Sequence, residues 1–255
     1  MAEGSCPSQK ILDSSLKLWG IPDRELKFIR GNENWVYEVD DLIFRFTGID
    51  HRTSLEIEAE IDWIQYLADK NLSICTPVPS TQNKIIEALS DFWNCVVFHK
   101  APGIQLKKPE HFTNEVFESW GRLTGQMHHW TRSYKPKIEG RKNWQEDDGF
   151  LLSQKAVESM DPTNPMVVQY QDILAKMKSL PMDDSAFGLI HGDFHHGNFH
   201  FDHSKNQIHL FDFDDCNYFW FAFDLIIPFA SLEFTKCDGR LDLDYSDFQK
   251  IFMEA

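Results

Sequence analysis

The chain has 255 residues, 42% of them apolar, with 21 Phe and 8 Trp. That is material for one or two domains with a sizeable core, and it excludes a disordered polypeptide. Forty acids against 25 bases leave a net charge of −15, the wrong sign for a protein that covers duplex nucleic acid, so no nucleic-acid partner is expected. The five cysteines, Cys6, Cys75, Cys95, Cys216 and Cys237, are odd in number, widely spaced and form no C-x-x-C pair. They exclude a disulfide scaffold and a cysteine-based zinc site, and point to a reducing compartment. The opening MAEGSCPSQK lacks the apolar centre of a signal peptide. The longest apolar run, Cys216 to Leu232, is interrupted by Asp224, short of a membrane span. A cytoplasmic location without membrane contact is the expectation.

In chain order, residues 8–19 carry Ile11, Leu12, Leu16 and Leu18 at helical intervals. Short strands follow, around Leu26 and Phe28, Val36 and Val39, and Leu42, Phe44 and Phe46, with turns at Gly31-Asn32 and Asp40-Asp41. Thr53–Lys70 reads as a helix with an apolar stripe of Ile57, Ile61, Ile64, Leu67 and Ala68, ended by Pro77 and Pro79. Lys84–Leu89 and Phe92–Phe98 read as two more strands, and Lys100-Ala101-Pro102-Gly103 as a linker. Beyond it the period is helical over Phe112–Trp130, polar and loop-like over 134–149, and helical again over Met166–Leu180. Strands at Leu189–His191 and Ile208–Phe213 precede helices at Phe221–Phe234 and Tyr245–Ala255. The pattern describes an α+β chain, a small β-rich lobe followed by a larger helical one.

The last 75 residues, 181–255, hold 14 acids and 4 bases. That is either a solvated acidic surface or a site that gathers cations. Within them lies LIHGDFHHGNFHFDHSKNQIHLFDFDD, residues 189–215. Asp193 and Asn198 sit five apart in a glycine-punctuated loop, and Asp212 stands at the end of the expected strand from Ile208. Strand alternation would give Asp212 the same face as Ile208 and Leu210, where a buried carboxylate needs a cation. Phosphoryl transfer uses such a set: a carboxylate to accept the proton of an attacking hydroxyl, and hard oxygen ligands for Mg²⁺. Asp193 suits the first role, Asn198 and Asp212 the second.

This string resembles the catalytic core of the aminoglycoside phosphotransferase and choline kinase family, distant relatives of the protein kinases, whose pattern is H-G-D-x-x-x-x-N followed by an I-D-[WF]-type aspartate. The resemblance runs over roughly residues 20–235. It implies a protein-kinase-like two-lobe fold, with a nucleotide-binding lobe over 1–99, a hinge at 100–103 and a catalytic and substrate-binding lobe over 104–255. It implies ATP, with GTP left open, and Mg²⁺ as cofactors.

Gly31-Asn32-Glu33-Asn34-Trp35-Val36-Tyr37-Glu38-Val39 resembles the family's hairpin over the ATP phosphates, which makes Asn34 a nucleotide-side residue. Arg45 stands where the family holds the α- and β-phosphates. Its family partner position falls on Glu60, which shares the stripe of Ile57, Ile64 and Leu67, with Glu56 as the alternative. Phe98 would lie beside the adenine, with the His99 carbonyl and the Ala101 amide on its edge. Asp224 matches an aspartate that supports the catalytic loop. The implied acceptor is a small-molecule hydroxyl on an aminoglycoside, amino alcohol or sugar; the acidic C-terminal part favours a cationic one. No A-P-E signal follows Asp212, which argues against a protein substrate. Relative to that family the chain stops early, so part of the acceptor wall is expected to be missing or supplied by a partner.

Two other readings stay open: a catalytically silent kinase fold that senses nucleotide, and a metal protein built on His191, His195, His196, His200, His203 and His209. Oligomeric state is not legible.

Overall fold

The computed structural model describes residues 6–237 and 247–255. It begins with α1 (Gln9–Leu18), whose buried Leu12 and Leu16 lie one turn apart. A six-stranded antiparallel sheet follows, built from β1 (Lys27–Gly31), β2 (Asn34–Val39), β3 (Leu42–Gly48) and, after α2 (Ser54–Asp69), β4 (Pro77–Val78), β5 (Ile86–Ala88) and β6 (Trp93–His99). Its order is β1-β2-β3-β6-β4, with β5 also on β6.

Strand alternation assigns the two faces. Tyr37, Phe44, Phe46, Cys95 and Val97 point into one core with Leu12, Leu16 and Trp19 of the α1 region. The register places Val36, Arg45 and Val96 abreast across β2, β3 and β6, on the face that α2 covers. A capping box starts α2: the Thr53 hydroxyl accepts the Glu56 N–H while the Glu56 carboxylate accepts the Thr53 N–H at 2.9 Å. The apolar stripe of α2, including Ile57, Ile61, Ile64 and Leu67, enters a second core with Trp120, Phe199, Leu210 and Phe213. The Trp63 ring stands edge-on to Phe213 at 5.4 Å. One helix of the small lobe is therefore also part of the floor on which the large lobe packs.

The large lobe contains α3 (Asn114–Thr131), α4 (Asp148–Glu158), α5 (Pro165–Ser179), β7 (Phe187–Ile190), β8 (Phe199–Asp202), β9 (Gln207–Leu210), β10 (Asn217–Trp220), α6 (Phe221–Cys237) and α7 (Phe248–Glu254). Two antiparallel pairs, β8 with β9 and β7 with β10, rest near the buried α3. The helix α7 crosses α3 at Gly121, where a side chain would strike the Phe252 carbonyl.

Four elements go beyond what the sequence pattern predicts. The strand β4 falls on Pro77, expected only to end the preceding helix. The helix α4 begins at the end of the expected loop 134–149, runs on through residues with no expected element, and is capped by Asp147, which accepts the Phe150 N–H at 3.0 Å. The strand β8 is four residues long and β10 runs straight into α6, so neither leaves a period of its own in the sequence. The strand expected over Ile208–Phe213 ends at Leu210. Asp212 has φ 67°, a left-handed turn that aspartate tolerates. The direction of its side chain comes from that turn and not from sharing a strand face with Ile208 and Leu210. The expected C-terminal helix over Tyr245–Ala255 appears as α7; Tyr245 and Ser246 lie outside the described residues. Among the described residues no helix is long and apolar enough to cross a membrane.

Candidate active site

The loop between β7 and β8 is held from beneath by one buried carboxylate. Asp224 accepts the backbone N–H groups of His191 (3.0 Å) and Gly192 (2.8 Å) and faces His128 Nε2 at 3.1 Å. Burial alone would raise its pKa; the His128 bond and charge, with those of the loop, outweigh it and keep the group below the ordinary carboxylate range. Gly192 has φ +80°, and a Cβ there would come within 2.7 Å of the Asp215 carbonyl, so the turn requires glycine.

His191 is fully buried. Its Nδ1 accepts the Asp193 N–H at 3.3 Å, and its Nε2 lies 3.2 Å from the Phe211 carbonyl, to which it donates. Burial pushes its pKa down. The neutral ring thus ties the loop that carries Asp193 to the turn that carries Asp212.

Asn198 donates through Nδ2 to both the Asp193 carbonyl (2.9 Å) and Asp193 Oδ2 (2.8 Å). Its Oδ1 is buried and has no hydrogen-bond partner. His195 accepts the Gly197 N–H on Nδ1 at 2.8 Å and sets Nε2 3.4 Å from Asp193 Oδ2. One carboxylate oxygen of Asp193 is therefore oriented from two sides, while its side chain stays 38% exposed and open to an incoming hydroxyl. The Phe211 N–H donates to the Asn198 carbonyl at 3.0 Å, which brings the Asp212 turn against the Asn198 loop. Hard oxygen donors with one orphaned buried amide oxygen are a chemical fit for a divalent cation.

Asp212 Oδ2 is ion-paired with Arg30 of β1, across the cleft. Sequence reading missed Arg30; its one signal is a lone cation between Ile29 and Gly31. Asp214, two residues on, is buried and surrounded by His51 (2.6 Å), Arg52 (3.4 Å) and Arg45 (4.0 Å). Burial would raise its pKa, but these partners hold it well below the ordinary range. Arg141 anchors the same segment through the carbonyls of Asp214 and Cys216. Asp215 pairs with Arg52 at 3.0 Å; desolvation, then the Asp214 charge, raises it to about 6.

Between the lobes lies a cleft of about 620 Å³ lined by Arg30, Arg45, Phe98, Ala101, His200 and Asp212 among others. Arg45 and Glu60, 4% and 0% exposed, form a two-pronged pair with both contacts at 2.7 Å. Arg45 Nε is buried without a partner, and its guanidinium lies 5.2 Å from the Phe98 ring centre. Glu56 is occupied at the start of α2, so the pairing choice left open between the two glutamates is decided for Glu60. Ala101 keeps a free N–H among the described residues, while its carbonyl faces His200 Nδ1 at 3.0 Å. Asn34 is not in the cleft lining; its Oδ1 accepts the Thr47 hydroxyl at 2.6 Å inside the sheet.

The histidines of 191–209 do not converge. His209 meets Ser73 at 2.9 Å and His196 meets Ser231 at 2.9 Å, while His191, His195 and His200 serve the bonds above. Among the described residues the one cluster of metal-type ligands is Glu33, His51 and Asp214, where two arginines already neutralise Asp214.

A small antiparallel sheet with one long helix, set over a helical lobe that lines the cleft with Gly197, His200 and the turn Phe211–Phe213, defines a protein-kinase-like enzyme fold. Residues 25–248 match the phosphotransferase enzyme family, and the chain belongs to that family. It is 31% identical over 230 residues to the amicoumacin kinase of Bacillus subtilis (strain 168), covering 86% of this chain and 66% of that protein. The chain spans between about half and two thirds of the length of the curated relatives it matches. Among solved structures, amicoumacin kinase hAmiN in complex with AMP-PNP, Ca²⁺ and Ami superposes with a TM-score of 0.82 at 29% identity, covering 98% of this chain and 77% of the other. A microcompartment-associated aminopropanol kinase shares the fold with a TM-score of 0.69 at 22% identity, covering 96% and 79%.

Proposed function

We propose that this chain is an ATP-dependent, Mg²⁺-requiring kinase that phosphorylates a hydroxyl of a small molecule bearing an amine. The observation that carries the reading is Asn198. Its Nδ2 orients Asp193, and its Oδ1 is left buried and unpartnered, as a residue that joins a base to a metal site requires.

In this mechanism Asp193 receives the acceptor hydroxyl through its solvent-facing side and takes the proton as the oxygen attacks. The new bond forms between that oxygen and the γ-phosphorus, the bond from the γ-phosphorus to the bridging oxygen breaks, and ADP departs. Asn198 Oδ1 and the Asp212 carboxylate would hold the metal, which supplies charge neutralisation on the phosphates when bound. Arg45, kept in place by Glu60, steadies the α- and β-phosphates. His99 and Ala101 receive the base edge, with Phe98 beside it. An arrangement of fixed donors and charges of this kind supplies rate through positioning and electrostatics.

An amine on the acceptor is supported by the acidity of residues 181–255. Among solved structures of the same fold, one is an aminopropanol kinase, whose name is that of an amino alcohol. The test is phosphotransfer across a panel of amino alcohols, aminoglycosides and neutral sugars. Asp193→Ala should lower turnover by about 10³-fold or more while nucleotide affinity stays within a few-fold. Near-normal turnover in that variant removes Asp193 as the base, and a preference for neutral acceptors removes the amine.

A further inference from the structure

We infer that His200 makes the base site selective for adenine over guanine nucleotides, an inference that rests on the reading of the cleft as a nucleotide site. His200 lies on β8, two residues past Asn198, and lines the cleft beside the segment Phe98–Ala101. Its Nδ1 is 3.0 Å from the Ala101 carbonyl oxygen. A carbonyl only accepts, so Nδ1 carries a proton and donates it.

The contact is built into the fold. On its C-terminal side, Ile104 and Phe201 exchange backbone hydrogen bonds at 3.0 and 2.9 Å. Gly103, at φ +90°, lies so close over the Phe201 carbonyl that no Cβ fits. The Phe211 ring stands edge-on to the imidazole at 5.3 Å. His200 is thus held against the hinge from the strand, the glycine turn and the ring.

The remaining hinge groups are partly taken. The His99 N–H donates to the Thr76 carbonyl at 3.1 Å and the Lys100 N–H to the Asp41 carbonyl at 2.8 Å. Along this rim the order of groups is the His99 carbonyl, the Ala101 N–H and then the Ala101 carbonyl, which His200 already occupies. Adenine offers a donor, the 6-amino group, next to an acceptor, N1. That order matches the His99 carbonyl and the Ala101 N–H. Guanine offers an acceptor, O6, followed by two donors, N1–H and the 2-amino group. With O6 on the Ala101 N–H, its N1–H needs the Ala101 carbonyl. His200 lines the cleft beside that oxygen and takes one of its two lone pairs, so guanine N1–H must crowd against the imidazole for the other, displace His200 or stay unpaired. Unpaired buried donors weaken binding by about 10- to 100-fold.

The experiment is equilibrium binding to the full chain with Mg²⁺, using non-hydrolysable ATP and GTP analogues. The wild type should bind the adenine analogue at least about tenfold tighter. His200→Leu should bring the ratio of the two dissociation constants close to one, chiefly through a gain for guanine. His200→Asn, which retains an N–H near the Nδ1 position, should preserve the ratio. A second measurement needs no variant. The wild type should reject inosine nucleotide as it does guanine, because inosine keeps the O6 acceptor and N1–H donor order without the 2-amino group. Equal affinity for adenine and guanine, an unchanged ratio in a folded His200→Leu, or inosine bound like adenine overturns the inference while leaving the kinase reading standing. Binding of neither purine removes the nucleotide reading, and the inference with it.

Discussion

Glu60→Gln tests the most deeply buried charge in the cleft. Glu60 is fully buried, Arg45 is 4% exposed, and the two share two 2.7 Å contacts. Removing one member of a buried pair strands the other charge, at about 3–5 kcal/mol. Asp214 remains 4.0 Å from Arg45 and offsets part of the loss, which puts the effect near the lower figure, about 3 kcal/mol. For a chain of this size each kcal/mol moves the melting temperature by about 2–4 °C, so a fall of about 6–12 °C is expected by differential scanning calorimetry. Replacing both partners with methionine separates folding from function. An apolar pair of similar volume is often neutral or better for stability, so Arg45→Met with Glu60→Met should regain most of the lost stability. It should still bind nucleotide at least about tenfold more weakly by isothermal titration, because the phosphate cation is gone. A Glu60→Gln melting temperature within 2 °C of wild type (about 1 kcal/mol or less) would refute the burial argument. Wild-type nucleotide affinity in the double methionine variant would refute the phosphate role of Arg45.

Two further outcomes follow from the same geometry. Arg30 is ion-paired with Asp212, the carboxylate proposed to hold the metal; Arg30→Ala should tighten Mn²⁺ binding to the nucleotide-free protein by about two- to fivefold, the worth of an exposed ion pair, and an unchanged Mn²⁺ titration discards the competition. Asp224 has its folded pKa below the unfolded value, so its contribution is fully present above the unfolded carboxylate range and is lost as pH falls through the folded one. In urea unfolding, the stability gap between wild type and Asp224→Asn should be widest at neutral pH and close on acidification; a gap that does not change with pH removes the charge from the account.

The residues proposed to do chemistry were singled out one by one because phosphoryl transfer limits their type and spacing. The Asp193–Asn198 interval sits within one loop, and Asp212 follows one short hairpin later, so the local chain carries them to neighbouring places. Periodicity marked Arg45 as a cation on an apolar strand and Glu60 as an acid on an apolar helix stripe; their pairing was implied by the family resemblance, and the fold shows it. Asn34 shows the limit of such matching: it was placed on the nucleotide side by the family hairpin, yet the Thr47 hydroxyl donates to its amide oxygen inside the sheet.

By itself, then, the order of residues determined the helix and strand periods of the main elements, the α+β division of the chain and the identity of the loop that holds Asp193, since these depend on local periodicity and on short spacings. Only the folded chain decided that α2 joins the core of the large lobe, that Arg30 crosses the cleft to Asp212, that two arginines and a histidine gather on Asp214 and that His200 donates to the Ala101 carbonyl. Each of those contacts joins residues far apart in sequence, and their distances follow from how the sheet, α2 and the large lobe pack around one shared core, which no local pattern of side chains encodes.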